Sequence, residues 1–147
     1  MIEPPPLPGH AYLPGQTPRH PEGAFEWLRE SARAGMSADA LARSEAFRAG
    51  LVYLEKGYFW EAHEVLEPVW MALPQGSAER HLLQALIQLA NARLKARMGR
   101  PRAVARLGAM VLRHLADCRA AGGGAVMMGV ALAPIRAEAA GMAGGGA

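Results

Sequence analysis

Cysteine is all but missing from this chain of 147 residues, in which Cys118 stands alone. An intramolecular disulfide is excluded, nothing marks an oxidising compartment, and a lone cysteine reads first as a small buried hydrophobe rather than a nucleophile. Long apolar runs are missing too, since the longest, about 125–135, is too short to span a bilayer. The opening Met1-Ile2-Glu3-Pro4-Pro5-Pro6 lacks both the basic stretch and the apolar core of a secretory signal, so a cytoplasmic protein with no membrane partner is expected. No segment alternates apolar and polar residues with a period of two, and none repeats, which argues against a sheet or a solenoid.

What is present is helical periodicity, bounded by proline and glycine. Seven of the 11 prolines fall within the first 21 residues, which predicts an extended N-terminal arm over 1–21. His10, Tyr12, Leu13, Arg19 and His20 in this arm are residues that can lie across a domain and cover a site on it. A helical domain over 22–140 follows, with a disordered tail at 141–147. Helices are expected over about 22–34, 37–56 (capped by Ser37 and ended at Gly57), 58–71, 78–98, 101–120 and 125–140. The fold class is all-α: a single compact antiparallel bundle of five or six helices. A chain of this length buries roughly two-thirds of its unfolded surface and needs no metal merely to fold.

The helix over 58–71 carries the chemistry. On a wheel of about 100° per residue, Ala62, Val65, Leu66 and Val69 form the apolar arc. Trp60, His63, Glu67 and Trp70 border it, with Glu64 further round and Glu61 on the opposite flank. His63 and Glu67, four apart, are neighbours on one face, the spacing at which imidazole and carboxylate share a proton or a metal. Pro68 deletes the helical hydrogen bond to the Glu64 carbonyl, which must kink the helix or send that carbonyl to another donor. On the apolar 78–98 helix, Gln84, Gln88, Asn91 and Lys95 line one strip beside His81, and buried amides must find partners. The His63–Glu67 edge is the expected partner.

Tyr58-Phe59-Trp60-Glu61-Ala62-His63-Glu64-Val65-Leu66-Glu67-Pro68-Val69-Trp70, followed by Leu83-Gln84-Ala85-Leu86-Ile87-Gln88-Leu89-Ala90, resembles the domain of unknown function 309 family over about 45–115. That family's pattern is an aromatic-rich EAHE-x-LE-x-x-W helix, an LQ-x-LIQ-x-A helix and a glycine-containing turn. The resemblance implies a small helical protein and implies no activity. Lys95 stands where relatives commonly have a histidine, so a ligand set that includes that histidine is not available here.

The leading expectation is a structural or ligand-binding cluster made by Trp60, Glu61, His63, Glu64, Glu67, Trp70, Gln84 and Gln88, with no catalytic residue assigned. The alternative is a metal-dependent enzyme or metal-binding protein, with a divalent metal as its cofactor on His63, Glu64, Glu67 and His81. The di-iron pattern of paired Glu-x-x-His motifs is absent, because His63-Glu64-x-x-Glu67 occurs once in the opposite order. A further alternative rests on charge. Residues 1–80 carry net −4 and residues 81–147 net +7, and Arg93, Arg97 and Arg100, then Arg102, Arg106 and Arg113, form two stripes that would suit nucleic acid or another anion. Met127, Met128, Val130 and Leu132 offer a face for a second copy of the chain.

Overall fold

The computed structural model describes residues 5–145, and Ser37, Ser44 and Ser77 each N-cap the helix that follows. α1 (Glu26–Arg29) and α2 (Ala38–Ala42) are short, whereas α3 (Glu45–Lys56), α4 (Phe59–Ala72), α5 (Ala78–Arg97), α6 (Pro101–Ala120) and α7 (Leu132–Gly144) build the bundle. α5 lies between α4 and α6, with α3 against the outer side of α4 and α7 against α6. Leu82, Leu83, Ala85, Leu86, Ile87, Leu89 and Ala90 of α5 are all buried, as its nearly continuous apolar surface predicts. Ala62, Val65, Leu66 and Val69, the apolar arc of α4, are each fully buried. α3 and α4 approach closely at Gly50, where the Leu66 side chain occupies the space a Cβ would take.

Three expectations about the elements are corrected. The helix over 22–34 is only the single turn α1, because the Ser31 hydroxyl bonds the Leu28 carbonyl and accepts from the Ala46 N–H, tying the chain to the start of α3. The helix over 37–56 is split into α2 and α3. Ser44 is the reason: its hydroxyl bonds the Leu41 carbonyl and accepts from the Phe47 N–H, so it ends one helix and N-caps the next. The helix over 125–140 is displaced. Met128 and Gly129, with φ of 51° and 78°, form the left-handed turn of a hairpin in which β1 (Val126–Met127) pairs antiparallel with β2 (Val130–Ala131). α7 then starts at Leu132 and continues through Gly141 to Gly144, where the glycine content predicted a tail. Residues 146–147 and 1–4, also covered by the tail and arm expectations, lie outside the described residues.

The hairpin and the start of α7 pack on this chain's own core: Leu132 is buried, and Met127, Met128 and Val130 pack against it. The apolar face expected to meet a second copy is thus partly covered by this chain's own core. Among the described residues, no helix is long and apolar enough to cross a membrane.

Candidate functional site

The arm crosses α3 and α4 and ends on the flank of α4 that carries Glu61. Tyr53 of α3 donates its hydroxyl to the Pro6 carbonyl at 3.2 Å, and Thr17 closes a turn by accepting from the Leu13 N–H and donating to the Ala11 carbonyl. The Glu61 carboxylate is completely buried. Its Oε2 accepts the Tyr12 backbone N–H at 2.7 Å and meets Nε2 of His20 at 2.5 Å. Oε1 of the same carboxylate is buried with no hydrogen-bond partner among the described residues. Burial, then the Glu61 charge and Tyr58, push the Tyr53 phenol up to about 12.

Aromatic rings enclose this pair. His20 stacks on His10 at 4.5 Å and on Trp60 at 6.0 Å, and meets the edge of Phe25 at 5.0 Å, while Tyr12 packs edge-on to Trp60 at 5.2 Å. Beside these rings opens a cleft of about 620 Å³, walled by Tyr12, His20, Phe25 and Trp60 and, on its polar side, by Arg19, Arg29 and Glu64 among others. Arg29 is placed there by Pro68. The Glu64 carbonyl that Pro68 leaves without a helical donor accepts from Nη1 of Arg29, and the same guanidinium reaches Glu67 Oε1 at 3.5 Å and Glu64 Oε2 at 3.7 Å. α4 stays continuous through Pro68.

His63 stands on the other edge of α4, and Glu67 lies between it and Arg29. His63 and Glu67 are 3.4 Å apart, and the His63 side chain keeps 31% of its surface exposed. Nδ1 of His63 bonds Asn91 Oδ1 at 2.9 Å, and Asn91 in turn donates to Gln88 Oε1 at 3.1 Å. The amide strip of α5 therefore does meet the His63–Glu67 edge, but only in part. Gln84 belongs with Trp70, His81, His114 and Asp117 around a separate cleft of about 300 Å³ at the far end of α4.

The residues expected to share a metal, His63, Glu64, Glu67 and His81, are thus divided between two places in the fold, with His81 at the second cleft. Among the described residues, the ligand-type side chains that come together in threes are His81, His114 and Asp117, with one ligand atom from each within 4.8 Å of the others. His63 and Glu67 remain a pair, and Glu64 turns toward Arg29. Burial holds His114 below the usual imidazole range, opposed by the nearby Asp117. Cys118, one residue beyond Asp117, is buried and its thiol is pushed up by burial and by Glu79, as expected of an inert packing cysteine.

The arginine stripes divide. Arg93 makes a two-pronged bond to Glu138 of α7 at 2.8 and 2.6 Å and donates to the Leu54 carbonyl at the end of α3. Arg97 donates to the Gly57 carbonyl and lies 4.4 Å over the Phe59 ring. Both therefore close the C-terminus of α3, a role that helix-end carbonyls favour for cations. Arg100, Arg102, Arg106 and Arg113 are exposed.

Residues 47–107 match the model of a family described as Domain of unknown function (DUF309), the span that holds α4, α5 and the turn into α6. The resemblance read from the α4 and α5 motifs is therefore supported. No curated protein and no solved structure matches the chain. His20, read only as part of a covering arm, and Phe25, Arg29, His114 and Asp117 line the two clefts without having been assigned to a candidate site from the sequence. For the first three the available signals were an aromatic-and-histidine-bearing arm and the orphan carbonyl that Pro68 announces.

Proposed function

We propose that this chain is a small-molecule-binding protein whose site is the aromatic-walled cleft between the proline-rich arm and α4. The observation that carries this reading is the fully buried Glu61 carboxylate held on Nε2 of His20. Nδ1 of His20 has no hydrogen-bond partner among the described residues, and the ring lines the cleft. A buried carboxylate that fixes one imidazole nitrogen sets the tautomer and orientation of the other, which is the arrangement proteins use to present a histidine to a ligand. The preferred ligand has an apolar body to lie against Trp60, Tyr12 and Phe25 and one hydrogen-bonding edge for His20.

A second role has its own support. The His63–Asn91–Gln88 chain satisfies the polar seam between α4 and α5 and is best read as a device that fixes helix register. Neither reading requires catalysis.

A fragment screen by protein-observed NMR tests the proposal. Binders are expected to shift the resonances of Tyr12, His20 and Trp60 and to lose at least about tenfold in affinity, equivalent to ~1.4 kcal/mol, in His20→Ala. Binders that leave these three residues unmoved, or that bind His20→Ala equally well, overturn it.

A further inference from the structure

The cluster at the opposite end of α4 has no part in the arm-covered cleft. We infer that His81, His114 and Asp117 form a binding site for one divalent transition-metal ion of the zinc class. The register of the α5–α6 hairpin brings the three together. His81 lies eighteen residues before Gly99 and Asp117 eighteen after it, so antiparallel helices of equal rise meet at these two positions. His114, three residues before Asp117, shares its face of α6.

One nitrogen of each imidazole and one carboxylate oxygen lie within 4.8 Å of one another. Around a tetrahedral zinc with bonds of about 2.0–2.2 Å, such atoms stand roughly 3.3 Å apart, a difference that side-chain rotation covers. Two imidazoles and a carboxylate form the donor set that suits zinc, cobalt or iron(II) and not calcium or magnesium. The three side chains are also uncommitted: among the described residues none has a hydrogen bond or ion pair to another group. The cleft of about 300 Å³ above them leaves a fourth position open to water, with Gln84 in its wall to orient that water. Arg80, a cation in the same wall, is engaged by other groups, 4.5 Å over the Trp70 ring of that wall and donating to the Leu73 carbonyl at 2.9 Å.

The test uses metal-stripped, tag-free full-length protein, titrated with cobalt(II) while its visible absorption is followed and with zinc in a calorimeter. One equivalent per chain is expected, with the intense visible bands of a four- or five-coordinate cobalt site. Asp117 is exposed, so Asp117→Ala leaves packing intact. It should weaken binding at least about tenfold, as should His81→Ala and His114→Gln, with circular dichroism confirming that each is folded. His63→Ala should bind as the native protein does. Absence of binding, native affinity in Asp117→Ala, or loss of binding in His63→Ala instead overturns the assignment. None of these variants touches His20 or Glu61, so the outcome is independent of the arm-covered cleft.

Discussion

A carboxylate without exposure is an expensive thing to fold around, and Glu61 is tolerated because two donors reach it from a segment that has no regular structure of its own. The Tyr12 N–H and the His20 ring supply what α4 cannot. The Glu61 carboxylate acts on its surroundings. Tyr53 is held beneath it with the phenol pushed up to about 12, by burial first and by Glu61 second. The unfolded phenol ionises near 10, so folding keeps Tyr53 protonated above that pH. Stability is therefore unaffected by this group below about pH 10 and falls as pH rises from there toward 12. An ultraviolet titration of the folded protein should show one of its three tyrosines ionising last, and Tyr53→Phe should remove that late step. A late step that survives in Tyr53→Phe contradicts the assignment.

Elements in this chain are delimited by side chains that compete for backbone groups. Ser44 cuts a single apolar pattern into α2 and α3, which the pattern alone does not reveal because Phe47, Leu51 and Leu54 keep the same period on one side of the cut. Pro68 works the other way. It frees the Glu64 carbonyl without breaking α4, and Arg29 of α1 takes that carbonyl, so a defect in one helix becomes the attachment point of another. Removing Arg29 leaves the carbonyl unpaired, and Arg29→Ala is expected to cost about 1–2 kcal/mol. In a Pro68→Ala background the restored Ala N–H takes the Glu64 carbonyl, so there the same substitution should cost clearly less. Chemical denaturation of the four proteins of this cycle measures the coupling, and equal costs in both backgrounds would contradict it.

At the scale of the molecule, the helical bundle and the α4–α5 polar seam were legible in the sequence, because periodicity states which face of a helix is buried and amides on a buried face demand partners. The arm's destination was not. His20 and Glu61 are 41 residues apart, and nothing periodic links an irregular segment to a helix flank. Glu61 accordingly reads from the wheel as a flank residue, although it is the most deeply buried charge in the site. His114 and Asp117 were missed for a different reason: both helix spans were legible, but bringing these residues to His81 also requires that α5 and α6 pack against each other as an antiparallel hairpin about Gly99, which the spans alone do not state.

The central claim is that the arm is folded onto Glu61 and thereby builds the cleft. Hydrogen exchange at the Tyr12 amide tests it most directly, because in this fold that N–H ends on a buried carboxylate while its neighbours in the arm run without helix or strand. Strong protection of Tyr12 in the native protein, lost in Glu61→Ala while α5 amides stay protected, is the expected result. A Tyr12 amide that exchanges at the rate of an open chain in the native protein would show an unattached arm and contradict the account.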